Sequence, residues 1–174
     1  MNRKNRILVV DDDEDVVTLL RHHLSSAGYK VQHALGGLEG LQLAIGEAPD
    51  LIVSDILMPE LDGFGLLAAL RANTSTCAIP IVFLTILDDE ESLARAMRLG
   101  VDDYLTKPVR REALLTSVAG NIGHSHNGLL GLDGEPGGGK VLQAAGDDLL
   151  LRDFRHLRRN AARIPAASQG AAGG

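Results

Sequence analysis

Short, wholly apolar runs recur along this chain, each followed by a segment whose apolar residues fall three and four apart. That alternation narrows the fold more than any other feature of the sequence. Residues 7–10 read Ile-Leu-Val-Val. A run without polar alternation is expected of a strand buried on both faces. Residues 51–55 (Leu-Ile-Val-Ser-Asp) and 79–85 (Ile-Pro-Ile-Val-Phe-Leu-Thr) have the same character, and 29–35 and 103–107 are weaker candidates. Helices are expected in between. Asp13 is placed to cap one that carries Val16, Val17, Leu20 and Leu24 along its apolar side and ends at Gly28. Others are expected over 38–47, 64–71, 90–99 (stopped by Gly100) and 110–122. Five strands alternating with five helices imply an α/β fold: a doubly wound parallel sheet with right-handed crossovers and helices on both faces.

The pattern stops at Gly123. Residues 124–174 hold 10 of the 20 glycines and no comparable apolar run. The expected organisation is therefore one domain over 6–123 and a Gly-rich C-terminal tail over 124–174. Within the tail, 128–139 reads as a linker and 166–174 as low-complexity sequence. Residues 148–163 suit one basic amphipathic helix, with Leu149, Leu150, Phe154 and Leu157 on one side. Charge divides the same way: 1–123 carries 11 Lys and Arg against 18 Asp and Glu, and 124–174 carries 6 against 5. An acidic front part with 3% aromatic residues argues against direct nucleic-acid binding. The single Cys77 excludes an internal disulfide and a multi-cysteine zinc site. No apolar run approaches the ~20 residues that span a bilayer. The basic start at 1–6 is followed by only four apolar residues before five acidic ones, too few for a signal peptide. A soluble, cytoplasmic protein without membrane insertion is expected.

In an open α/β sheet, ligands bind beyond the carboxyl ends of the strands. The first strand delivers Asp11 and Asp12 to that edge, the third Asp55, the fourth Thr85 and the fifth Lys107. Crowded carboxylates repel one another and hold a proton or a cation. An all-oxygen donor set suits a hard ion that keeps part of its water, which points to Mg²⁺. A carboxylate can itself attack phosphorus to give an aspartyl phosphate. A metal and Lys107 would then neutralise phosphoryl oxygens, with Thr85 donating a hydrogen bond.

Four segments carry a family resemblance: Ile7-Leu-Val-Val-Asp-Asp-Asp13, Ser54-Asp-Ile-Leu-Met-Pro-Glu-Leu-Asp-Gly63, Phe83-Leu-Thr85 and Gly100-Val-Asp-Asp-Tyr-Leu-Thr-Lys-Pro108. Together they resemble the receiver (phosphoacceptor) domain of two-component response regulators over about two-thirds of the chain. The resemblance implies the flavodoxin-like strand order 2-1-3-4-5. It implies that Asp55 is phosphorylated, that Asp12 binds metal directly and Asp11 through water, and that the Leu57 backbone carbonyl completes the set. Lys107 would pair the phosphate and precede a cis Pro108, and Thr85 and Tyr104 would form a switch pair. The implied donor is a phosphohistidine on a sensor histidine kinase or phosphotransfer protein. The partner-reading face would span 90–120, for a downstream protein target that the sequence does not name, and a phosphorylation-dependent homodimer is an option. The protein would be a phosphorelay switch whose only chemistry is self-catalysed phosphotransfer and dephosphorylation, and not an enzyme. Ile86 departs from the small residue usual after Thr85, which is expected to slow both gain and loss of phosphate. Val109 replaces the commoner aromatic after Lys-Pro.

Two other functions compete. Asp13-Glu-Asp15-Val-Val17 satisfies the Asp-x-Asp-x-Val spacing of haloacid-dehalogenase-like enzymes, a Mg²⁺-dependent small-molecule phosphatase, although Asp13 lies two residues beyond its strand. A receiver-like scaffold that works without phosphate is the other. Residues 88–91 are expected to be a solvated acidic helix start, and His22 and His23 a helix surface without a third metal ligand. Residues 134–140 match Gly-x4-Gly-Lys, but Val141 lacks the hydroxyl that a phosphate-binding loop needs there.

Overall fold

A computed structural model describes residues 3–86 and 89–125. The expected elements are all present in order: β1 (Arg6–Val10), α1 (Glu14–Ser26), β2 (Lys30–Ala34), α2 (Gly37–Glu47), β3 (Leu51–Ser54), α3 (Gly63–Ala72), β4 (Ile81–Thr85), α4 (Glu90–Arg98), β5 (Asp103–Thr106) and α5 (Arg111–Ser125). The five strands form one parallel sheet in the order β2-β1-β3-β4-β5. The linker, basic helix and Gly-x4-Gly-Lys segment expected after residue 125 lie outside the described residues.

Period-two alternation along the strands sorts their side chains into two cores. Leu8, Val10, Ile52, Ile81 and Phe83 pack with Ala44 of α2, Phe64, Leu67 and Leu70 of α3 and Ala96 and Met97 of α4. Ile7, Val9, Leu51, Val53 and Val82 pack with Val17, Leu20 and Leu24 of α1 and Leu114, Val118 and Ile122 of α5. Because both sheet faces are covered, β1, β3 and β4 contain almost no exposed position, which is why these runs read as uninterrupted apolar segments.

Helix ends follow local chemistry. The Asp13 carboxylate accepts the Asp15 and Val16 N–H groups at the start of α1. Gly28 and Gly100 adopt φ of 95° and 86°. In each case paired backbone bonds close the last turn: Gly28 to Ser25 and Tyr29 to Leu24, then Gly100 to Met97 and Val101 to Ala96. These are the helix stops that glycine supplies most cheaply. Some boundaries differ from expectation. β4 starts at Ile81 and not at residue 79, because Pro80 has no N–H to donate. The Ile81 N–H is taken by the Asp102 carboxylate. α5 runs on through Gly123 to Ser125, past the expected end at Ile122. An interior glycine weakens a helix by about 1 kcal/mol without ending it.

Candidate functional site

The site is assembled by register. Val10 of β1 pairs with Ser54 of β3, so the residues that follow, Asp11 and Asp55, leave the sheet side by side. The Asp55 N–H donates to the Val10 carbonyl at 2.9 Å, and the Asp11 N–H donates to Ala34 at 3.2 Å. Thr85 pairs with Thr106, and the Lys107 N–H donates to the Thr85 carbonyl. Lys107, the residue directly after β5, therefore reaches across the end of β4. Its Nζ lies 2.8 Å from Asp11 Oδ2 and 3.1 Å from Asp55 Oδ2.

Asp11 and Asp55 are 1% and 8% exposed. Asp55 Oδ1 accepts the Ile56 N–H at 2.7 Å and the Leu57 N–H at 3.4 Å. Asp11 Oδ1 accepts the Asp13 N–H. Asp12 is exposed, yet one carboxylate oxygen from each of Asp11, Asp12 and Asp55 lies within 4.8 Å of the others. Burial pushes the Asp11 carboxyl above its ordinary value, although the Lys107 hydrogen bond pulls the other way. Burial opposes the charge on Lys107, but its bond to Asp11 and the charges of Asp55 and Asp11 outweigh this and raise it. The two directions agree: both groups hold their protons more tightly than usual, Asp11 because it is buried and Lys107 because two carboxylates face it. Such a pocket fits a hard divalent cation, since every donor is an oxygen and one of the three carboxylates faces solvent.

Thr85 is fully buried at the end of β4, between the strands that carry Asp55 and Lys107. Tyr104, opposite Phe83, is 4% exposed, with its ring in the core on the α2–α4 side. The Lys107–Pro108 peptide bond is cis. Leu57 is half exposed and Ile86 is 67% exposed, immediately beyond Thr85. Asp13 does not join the cluster as a nucleophile: its carboxylate is committed to the α1 cap. Asp62 caps α3, and Asp89 caps α4, where the Ser92 N–H lowers its pKa. His22 is exposed and belongs to no close group of metal-ligating side chains among the described residues.

Sequence reasoning missed one contributor. Gly63 reads as a plain turn residue, but a Cβ there would stand 2.4 Å from the Asp55 carbonyl oxygen and 2.7 Å from the Ile56 Cα. Its N–H donates to the Ile56 carbonyl at 2.8 Å. The first turn of α3 thus presses on the Asp55 peptide, and only glycine permits that approach. The glycine directly after a capping Asp was the available signal.

A family model of the response regulator receiver domain matches residues 7–119. The chain belongs to this family. Among curated proteins, this receiver is 46% identical over 108 residues to the alkaline phosphatase synthesis transcriptional regulatory protein PhoP of Bacillus subtilis, covering 62% of this chain and 43% of that one. It is 41% identical to the DNA-binding dual master transcriptional regulator RpaA of Synechocystis, covering 65% of this chain and 47% of that one. The chain thus spans about half the length, or less, of these relatives. Against the protein PilH of Pseudomonas aeruginosa, 40% identical, it covers 93% of the relative and 65% of itself. Among solved structures, the receiver superposes on the chemotaxis protein CheY4 of Vibrio cholerae with a TM-score of 0.65 at 32% identity, covering 67% of this chain and 98% of that one. Receiver domains of response regulators act as signalling switches, and an acidic pocket of this kind is where they hold Mg²⁺. No helix among the described residues is long and apolar enough to cross a membrane.

Proposed function

We propose that this protein is a phosphorelay switch that accepts a phosphoryl group on Asp55 with Mg²⁺ and presents a changed face to a partner. The observation that carries the reading is the Lys107 ammonium bridging Asp11 and Asp55 beside the exposed carboxylate of Asp12. Asp11, Asp12, Asp55 and the Leu57 carbonyl are the groups that would hold the metal. When bound there, Mg²⁺ supplies positive charge to the phosphoryl oxygens.

The chain's own residues do the rest. The Ile56 and Leu57 N–H groups fix Asp55 Oδ1, which leaves Oδ2, shared with Lys107, as the attacking oxygen. A new P–O bond forms there while the donor's P–N bond breaks, its electron pair returning to the imidazole nitrogen of a phosphohistidine. Lys107 then pairs a phosphoryl oxygen in place of the carboxylate it loses. Thr85, at the strand end between them, donates its hydroxyl, and Tyr104 on the neighbouring strand reports that movement to the face over 90–120. Ile86, exposed beside the pocket, slows access of donor and of water.

On this reading the receiver spans 6–123 and residues 124–174 are an appendage to it. The donor is a cytoplasmic sensor kinase or phosphotransfer protein, and the output is a protein contact, with a phosphorylation-dependent homodimer as one form of it. Incubating the full chain with a small phosphodonor and Mg²⁺ tests the reading. One equivalent of acid-stable, base-labile label on Asp55, absent from Asp55→Asn and without Mg²⁺, is the expected result. Repeated turnover of a phosphomonoester, or label on another residue, would sink it.

A further inference from the structure

Ser54 is a hydroxyl in an apolar place. It closes the Leu-Ile-Val run of β3, stands between Val10 of β1 and Phe83 of β4 in the sheet, and is 0% exposed. A hydroxyl taken out of water costs free energy unless it keeps a hydrogen bond. This one donates from Oγ to the carbonyl oxygen of the next residue, Asp55, at 2.8 Å. Asp55 itself stands one residue past β3. Its N–H still joins the sheet through Val10, while its carbonyl is held by a side chain.

The peptide group between Asp55 and Ile56 is planar, so a hold on its C=O end also fixes the direction of its N–H end. That N–H donates to Asp55 Oδ1 at 2.7 Å. Ser54 and the carboxylate therefore grip the two ends of one rigid plate. With Oδ1 held in this way, Oδ2 stands toward Lys107 Nζ, 3.1 Å away. Gly63 holds the following peptide, since its N–H donates to the Ile56 carbonyl at 2.8 Å.

We propose that Ser54 is a positioning residue for phosphoryl transfer: its hydroxyl locks the Asp55–Ile56 peptide and so aims the attacking oxygen of Asp55. The proposal rests on phosphorylation of Asp55 and adds to it a residue that touches neither phosphorus nor metal. Without the hydroxyl the peptide rocks, and Oδ1 is no longer steadied by the nearer of its two N–H donors. Fewer orientations of the carboxylate then present Oδ2 in line with the donor's P–N bond.

The test follows labelling of Asp55 in the full chain by phosphoramidate at saturating Mg²⁺, with initial rates taken over a range of donor concentrations. Ser54→Ala is expected to lower the maximal rate by about fivefold, the factor that one neutral hydrogen bond carries. The half-saturating donor concentration is expected to stay unchanged. Ser54→Thr, which keeps the hydroxyl and suits a strand, is expected to restore most of the rate. Thr76→Val is the control for lost stability. Thr76 is 0% exposed, lies beyond the far end of α3, and donates to the Leu70 carbonyl at 2.9 Å. Its replacement removes a comparable buried bond away from the pocket, and is expected to lower the urea midpoint without slowing labelling. Ser54→Ala labelled as fast as the wild type would overturn the proposal and leave Asp55 as the phosphoacceptor. So would a slowing that Thr76→Val matches, that Ser54→Thr fails to reverse, or that lies only in the half-saturating donor concentration. A wild type that takes no label on Asp55 would instead overturn the phosphorylation reading itself, and the role of Ser54 with it.

Discussion

Crowding is the main physical fact at the scale of single residues. Asp12 adds a third carboxylate to a pocket that Lys107 neutralises only in part, so the metal-free protein carries unrelieved repulsion there. Asp12→Asn is therefore expected to raise stability without Mg²⁺ and to lose most of the gain that Mg²⁺ gives the wild type. Urea unfolding of both proteins with and without Mg²⁺ measures this, and a variant that still gains as much as the wild type would contradict it. At 100 times the dissociation constant a bound ion adds about 2.7 kcal/mol. Gly63 acts by being small. Gly63→Ala pushes a methyl into the Asp55 carbonyl and should cost about 2–3 kcal/mol by overpacking. It should also slow labelling of Asp55 by a small phosphodonor, because the displaced peptide is the one that aims the carboxylate. Unchanged labelling would show that the α3 contact does not position Asp55.

Elements are joined here by a few polar devices at their ends. Arg71, at the close of α3, donates to the carbonyls of Gly100, Cys77 and Ile79 and to Asp102, tying α3 to the turn before β5 and to the start of β4. Asp102 in turn takes the Ile81 N–H that begins β4. Ala48, after α2, has φ of 45°, a left-handed conformation that carries a cost for any residue with a Cβ. Ala48→Gly is expected to stabilise the protein by about 0.5–1 kcal/mol, read as a higher urea midpoint at unchanged slope. A lower midpoint would mean that the glycine's added freedom in the unfolded chain outweighs the relief. The sequence marks the stops at Gly28 and Gly100, because glycine there is the residue the geometry demands. It does not mark the stop at Ala48, where tertiary packing of α2 against β1 overrides local preference.

At the scale of the molecule, α5 is fastened to the sheet through a buried charge. Asp103 on β5 is 4% exposed and accepts hydrogen bonds from Ser117 of α5 and from the Tyr104 N–H. Burial pushes its carboxyl above the ordinary 3.8, only partly offset by those bonds. The folded chain thus keeps the proton just above that value, where the unfolded chain has lost it, and stability falls as pH rises through the window. Asp103→Asn lacks this loss. Its stability relative to the wild type is expected to improve between about pH 4 and pH 7, and parallel profiles in urea unfolding would contradict the assignment. Local pattern determined the strands, the helices, the cap at Asp13 and the polar residues waiting at each strand end, because burial on two faces forces apolar runs and leaves chemistry only where a strand stops. Register and close approach decided the rest: Asp11 next to Asp55, Lys107 across two strands, Gly63 against a carbonyl and Asp103 under Ser117. Those contacts join residues that are mostly far apart in the chain. Spacing along the chain carries no record of them, since distance between packed elements is a property of how they stack.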